Sequence, residues 1–145
     1  MNVALSKLGF VAAVLGLALL AARGELFDAN PVTIGLQVLA FSFMIWARIT
    51  FGMRSFHAAA DTTEGELVTR GPFAIVRNPI YAAVVLFAWA GAGAHLDLVS
   101  VALGLLVLAG MLVRIFSEER ELRRHYGDSY EAYCKRVKRL VPYVA

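Results

Sequence analysis

The sequence predicts an all-α membrane protein: a single domain over residues 1–145 with four transmembrane helices and a C-terminal helical segment at the cytoplasmic interface. Three observations carry this. Hydrophobic residues make up 59% of the 145-residue chain and mean hydropathy is +0.66, too apolar for a water-soluble domain of this size. The apolar residues gather into four uncharged stretches, 8–22, 31–47, 79–94 and 98–113, each 15 to 17 residues long. Basic residues crowd alternate connections between those stretches.

Each stretch falls a little short of the roughly 20 residues that span a bilayer core. Flanking residues extend them to spans of about 3–22, 31–50, 79–95 and 98–116, with Lys7, Arg48 and Arg114 able to snorkel to the interface. Lys7 ahead of an apolar run that ends in small residues also fits a signal peptide. Arg23 is a poor residue after a cleavage site, and removal would strip the second run of a packing partner, so a span is the stronger reading.

The second span opens on Pro31, suited to a first helical turn. Its polar side chains, Thr33, Gln37 and Ser42, are explained by bonding between helices, and spans one and two read as scaffold. The connection 51–78 is long and polar and contains Asp61-Thr62-Thr63-Glu64-Gly65-Glu66, which reads as a lid or pocket wall; Leu67-Val68-Thr69 suits a short extended piece. Asn78 and Pro79 start the third span as N-cap and first helical residue. Only residues 94–98 join it to the fourth, so the two form an antiparallel pair, with Ala82, Ala83, Ala90, Gly91 and Gly93 offering small faces for close packing.

Beyond the fourth span the chain turns hydrophilic and stays helical through Tyr126, with Gly127 as a stop and Asp128-Ser129-Tyr130-Glu131 at capping-box spacing for a new start. Tyr126, Tyr130, Tyr133 and Val137 recur at helical spacing opposite Arg136 and Arg139; such a stripe favours a helix lying on the membrane over one closing a pocket. The loop 51–78 and the C-terminal helices 117–142 would together form a site.

Charge sets the topology. The second connection carries Arg48, Arg54, Arg70 and Arg77, and the tail carries Arg114, Arg120, Arg123, Arg124, Lys135, Arg136, Lys138 and Arg139. The opposite connections hold only Arg23, offset by Glu25 and Asp28. Both termini and the central loop are therefore expected in the cytoplasm, in an integral, multi-pass protein. The net charge of +3 expresses this asymmetry, so no nucleic-acid partner is expected. A single cysteine, Cys134, excludes an internal disulfide and a cysteine-based metal cluster; His57, His95 and His125 are far apart in sequence, and no metal site is expected.

The chemistry gathers at two motifs. Gly71-Pro72-Phe73 through Arg77-Asn78-Pro79-Ile80-Tyr81 leads into the third span, and Ser117-Glu118-Glu119-Arg120-Glu121-Leu122 leaves the fourth. In a tight hairpin the two meet on one side. Free amides at a helix start, with Arg77 beside them, favour an anion. Two carboxylates at the end of a transmembrane helix need a cationic partner, which Arg77, Arg114 or Arg120 supplies, or a ligand's ammonium group. A zwitterionic nucleoside bearing carboxylate, ammonium and ribose hydroxyls satisfies both ends; S-adenosylmethionine is one, and its sulfonium suits aromatic faces such as Tyr81 and Phe73.

With Tyr126-Gly127-Asp128-Ser129-Tyr130-Glu131-Ala132-Tyr133 and Pro142 added, these motifs resemble the isoprenylcysteine carboxyl methyltransferase and phospholipid methyltransferase superfamily, over roughly residues 65–142. The resemblance implies a membrane-embedded methyltransferase that uses S-adenosylmethionine and releases S-adenosylhomocysteine. It implies a lateral opening for a lipid or small hydrophobic acceptor at the cytosolic face. By the same match Gly71, Phe73, Arg77, Asn78, Pro79, Tyr81, Glu118 and Glu119 bind the cofactor, and Arg77, Tyr81 and Glu118 act in catalysis. Asn78 stands where the family often has His, and Ala83 where Gly is frequent. A minimal chain of this kind suits a bacterial inner membrane, and its four short helices leave a cleft that a second copy, in a homodimer, could cover. Two other readings stay open. The tail also resembles sterol reductases, which use NADPH, and a non-catalytic membrane scaffold could keep the same fold.

Overall fold

A computed structural model describes residues 3–52 and 66–145. His57 and the candidate lid residues Asp61 to Gly65 lie outside the described residues. Among the described residues five α-helices make up the fold: α1 (Val3–Ala22), α2 (Pro31–Phe51), α3 (Pro79–His95), α4 (Leu98–Tyr126) and α5 (Asp128–Arg136), with a 3-10 turn at Gly71–Ala74. Among the described residues the only extended pairing is an isolated parallel bridge between Val76 and Lys138.

Local chemistry sets the helix ends. Asn30 caps α2, its side chain accepting from the Val32 N–H at 2.8 Å, with Pro31 in the first turn. Asp97 caps α4 through the N–H groups of Val99 and Ser100, at 3.0 and 3.1 Å. Between α3 and α4 the chain reverses on Leu96 alone in the left-handed region, φ 52°. At Gly127, φ 53°, α4 ends and α5 begins directly, without a side-chain cap. The capping box expected at Asp128 is absent because the glycine closes one helix and opens the next, and leaves no extended residue to host it.

Helices α1, α2 and α4 are long and apolar enough to cross a membrane. At 17 residues α3 is shorter, about 25 Å at 1.5 Å per residue. Packing runs in the order α1, α4, α3, α2, so the two N-terminal helices sit at opposite flanks although they are consecutive in sequence. The closest approach is α1 on α4. A Cβ on Gly9 would lie 2.7 Å from the Gly110 carbonyl, and one on Gly16 would lie 2.7 Å from Val107 Cγ2. Backbone meets backbone there, through a small-residue notch formed by Gly9, Ala13 and Gly16. Of the small residues expected to bring α3 and α4 together, Gly91 instead admits the Glu25 and Leu26 carbonyls, and Gly93 faces open space. It is Trp89 of α3 that lies over Gly104 of α4.

The 23–30 connection is tied into one end of the bundle. Arg23 grips the Glu25 carboxylate with Nε and Nη2 at 2.9 and 2.7 Å, and the Ser100 hydroxyl lies between the Glu25 carboxylate, at 2.6 Å, and that of Asp97, sharing one proton. Gln37 donates to the Leu26 carbonyl at 2.6 Å, and His95 faces Asp28 at 3.5 Å. The other end carries the motifs.

Candidate functional site

Gly71 starts the 3-10 turn at φ 59°, a backbone state that favours glycine. An added Cβ would also stand 3.0 Å from Thr50 Oγ1 and 3.5 Å from Trp46 Nε1, so the turn lies directly on the end of α2. Phe73 stacks on Phe51 with ring centroids 5.8 Å apart, and its carbonyl accepts from the buried Tyr133 hydroxyl at 2.5 Å. The chain then pairs with its own tail. The Arg77 N–H donates to the Lys138 carbonyl at 2.7 Å and the Asn78 N–H to the Arg139 carbonyl at 3.1 Å.

Asn78 occupies the cap position of α3 and Pro79 its first turn, as the sequence predicts, yet the Asn78 side chain makes no capping bond. It turns to Glu119 Oε1, at 3.1 Å, and to the Arg139 carbonyl, at 3.3 Å. The pull of a buried carboxylate on an amide outweighs a local cap. Glu119, 1% exposed, also accepts from Arg77 Nε at 3.2 Å and from Arg139 Nη2 at 2.9 Å. Burial alone would raise its pKa. The Arg139 hydrogen bond, the Arg77 charge and the Asn78 amide together hold it below the ordinary carboxylate range. Arg77 in turn donates Nη1 to the Cys134 and Val137 carbonyls, at 3.2 and 2.6 Å. A guanidinium thus satisfies the carbonyls at the end of α5.

One residue earlier on α4, Glu118 belongs to a different group. The Tyr81 hydroxyl donates to it in a short hydrogen bond. Arg114 reaches the same carboxylate at 3.4 Å and the Tyr81 oxygen at 3.3 Å, with its guanidinium over the Phe10 ring of α1 at 5.2 Å.

These groups surround a cavity of about 570 Å³. Of the predicted site residues Phe73, Arg77, Asn78, Pro79, Tyr81 and Glu118 line it, whereas Gly71 and Glu119 do not. Gly71 shapes the turn behind Phe73, and Glu119 faces the tail. The reading of α1 and α2 as scaffold is incomplete, because Phe10, Val14 and Leu17 of α1 and Arg48 and Phe51 of α2 supply two walls. The aromatic stripe on α5 likewise packs inward. Tyr130 and Tyr133 are buried, with Leu122 and Leu67 against them, and both line the cavity. Burial pushes both phenols up, so they stay protonated at neutral pH. His125 is exposed and edge-on to Tyr126.

Arg139 and the α1 wall are the participants that sequence reasoning missed. The glycine spacing of α1 signals its packing on a partner helix, but nothing in the sequence marks Arg139 among eight basic residues of the tail.

Residues 30–129 match the family model for phospholipid methyltransferases. No curated protein and no solved structure matches the chain.

Proposed function

As the chain belongs to the phospholipid methyltransferase family, we propose that it is an S-adenosylmethionine-dependent methyltransferase acting on a lipid or small hydrophobic acceptor at the cytosolic membrane face. The observation that carries this reading is one cavity with a cationic helix start at one side, a carboxylate at the other and aromatic rings around both. Its volume of about 570 Å³ falls in the range of roughly 300–1,000 Å³ usual for small-molecule sites.

The residues suit the cofactor's chemistry. Arg77 and the first-turn amides of α3, left uncapped by Asn78, complement a carboxylate. Glu118 complements an ammonium or a ribose hydroxyl. Phe73, Tyr130, Tyr133 and Tyr81 offer faces for the nucleobase and for a sulfonium. When bound, S-adenosylmethionine supplies an electrophilic methyl group on a positively charged sulfur.

The chain's own work is then alignment and exclusion of water. Tyr81 holds Glu118 by its hydroxyl proton, and Arg114 reaches the same carboxylate oxygen and fixes its direction. The apolar walls from Phe10, Val14, Leu17, Val84 and Met111 continue the cavity between α1, α3 and α4 and suit the chain of an amphiphilic acceptor. The basic residues gathered at the α3-start end of the bundle favour a cytoplasmic location for that end.

Calorimetric titration of the purified protein in detergent with S-adenosylmethionine, S-adenosylhomocysteine and NADPH tests the reading. Saturable binding of the first two, abolished by Glu118→Gln, is expected. Binding of NADPH alone, or of none, overturns it.

A further inference from the structure

The two adjacent glutamates accept from separate donors, and Glu119 is the one with no lone pair to spare. An ionised carboxylate offers about four lone-pair sites. Glu119 Oε1 already accepts from Arg77 Nε, Asn78 Nδ2 and Arg139 Nε, at 3.2, 3.1 and 3.2 Å, and Oε2 from Arg139 Nε and Nη2, at 3.1 and 2.9 Å. It is also 1% exposed and away from the cavity lining. Arg139 is pinned by two contacts, the carboxylate and the Phe116 ring beneath its guanidinium at 4.7 Å.

We propose that Glu119 and Arg139 are positioning residues: they clasp the tail at 137–139 and α5 onto the start of α3, so that Arg77, Tyr130 and Tyr133 meet the ligand in fixed places, and neither touches the ligand itself. The ligand part of this inference rests on the cofactor reading above. Three links give the clasp its reach. Tail carbonyls of Lys138 and Arg139 accept from the Arg77 and Asn78 backbone. The Arg77 side chain spends Nη1 on the Cys134 and Val137 carbonyls and both remaining nitrogens on Glu119, so its direction is dictated by α5 and Glu119 together. The Tyr133 hydroxyl ties α5 to the Phe73 carbonyl behind the cavity. Release of Glu119 from Arg139 therefore loosens one wall of the cavity and the aim of its central cation at once. Two guanidiniums against one carboxylate also leave a net positive charge where Arg77 faces the cavity.

Cys134, the chain's single cysteine, reports on the clasp without any ligand, because it lies half-buried on α5 and its carbonyl is held by Arg77. The full chain in detergent is compared with Glu119→Gln, Arg139→Gln, the double variant and the milder Arg139→Lys. Two quantities are read: the rate of maleimide labelling at Cys134 and the dissociation constant for S-adenosylhomocysteine. Faster labelling and roughly tenfold weaker binding are expected in each single Gln variant. The double variant should be no weaker than the worse single one, since both act through one contact, and Arg139→Lys should recover part of the loss. A fold that is merely less stable lowers the number of binding sites and leaves the dissociation constant alone. Unchanged labelling overturns the clasp, as does faster labelling with unchanged affinity. Losses that multiply in the double variant mean that Glu119 meets the ligand directly, and overturn it too. If the parent protein does not bind S-adenosylhomocysteine, the cofactor reading fails, and the labelling rates alone support or overturn the clasp.

Discussion

Replacing Gly110 by alanine adds one methyl group at the tightest point of the fold. The new Cβ would lie 2.9 Å from the Ala13 backbone nitrogen and 3.1 Å from Ala13 Cβ, and closer still to the Gly9 carbonyl oxygen. Two of these neighbours are backbone, so no rotamer change relieves the contact, and α1 has to retreat by about one ångström to bring the Gly9 oxygen to ordinary van der Waals separation. A gap of that size forfeits about half of each contact well along the α1–α4 interface, and overpacking of this kind costs about 1–3 kcal/mol. Alanine is the better helix former by about 0.5–1 kcal/mol, which offsets part of the loss. At about 2–4 °C per kcal/mol for a chain of this size, the melting temperature in detergent should fall by about 2–8 °C. Gly35→Ala is the internal control. Nothing stands within 4 Å of its added Cβ, so it should match or slightly exceed the parent. If Gly110→Ala melts with the parent, or both variants fall together, the notch is not what holds α1 to α4.

Two further outcomes follow from the ends of the bundle. Tyr133→Phe leaves the buried Phe73 carbonyl without its donor, a loss of about 1–3 kcal/mol readable as a lower melting temperature; an unchanged melt refutes the tie between α5 and the turn. At the opposite end the Glu25 carboxyl is held below its ordinary 4.5, first by the hydrogen bond from Arg23 and then by that from Ser100. A carboxyl with a lowered folded pKa contributes stability above its unfolded value and loses it as pH falls through the folded one, so the melting temperature should decline below about pH 4.5. Ser100→Ala removes the single hydroxyl proton that lies between Glu25 and Asp97, and should make that decline shallower and end it at a higher pH. Coincident profiles for parent and variant would rule out the serine as the coupling group.

The helices were legible because long uncharged runs have little choice of structure, and because Pro31 and Gly127 mark ends by backbone chemistry that does not depend on context. The meeting of the Arg77 motif with the Glu118-Glu119 motif was legible from the short α3–α4 turn, which leaves two helices no arrangement but antiparallel. The division of labour inside the doublet was not. Successive helical residues point about 100° apart, so one glutamate faces the cavity and its neighbour the tail, and a sequence does not say which. Asn78 reads as a cap by propensity alone, and only the buried carboxylate beside it draws the amide away. The stripe on α5 has the same pattern whether it lies on a membrane or against Leu122, and the placement of the tail decides.

The order of packing bears on how the chain is made. α1 leaves the ribosome ahead of α2, α3 and α4, yet its close partner is α4, the last of these apolar helices, and α2 waits for α3. Nascent protein therefore carries the Gly9–Gly16 notch unfilled until α4 has been made, and any product that stops short of α4 presents it permanently to lipid or to other membrane proteins. Because only α4 covers that notch, its exposure distinguishes a molecule whose helices have all docked from one whose helices have not.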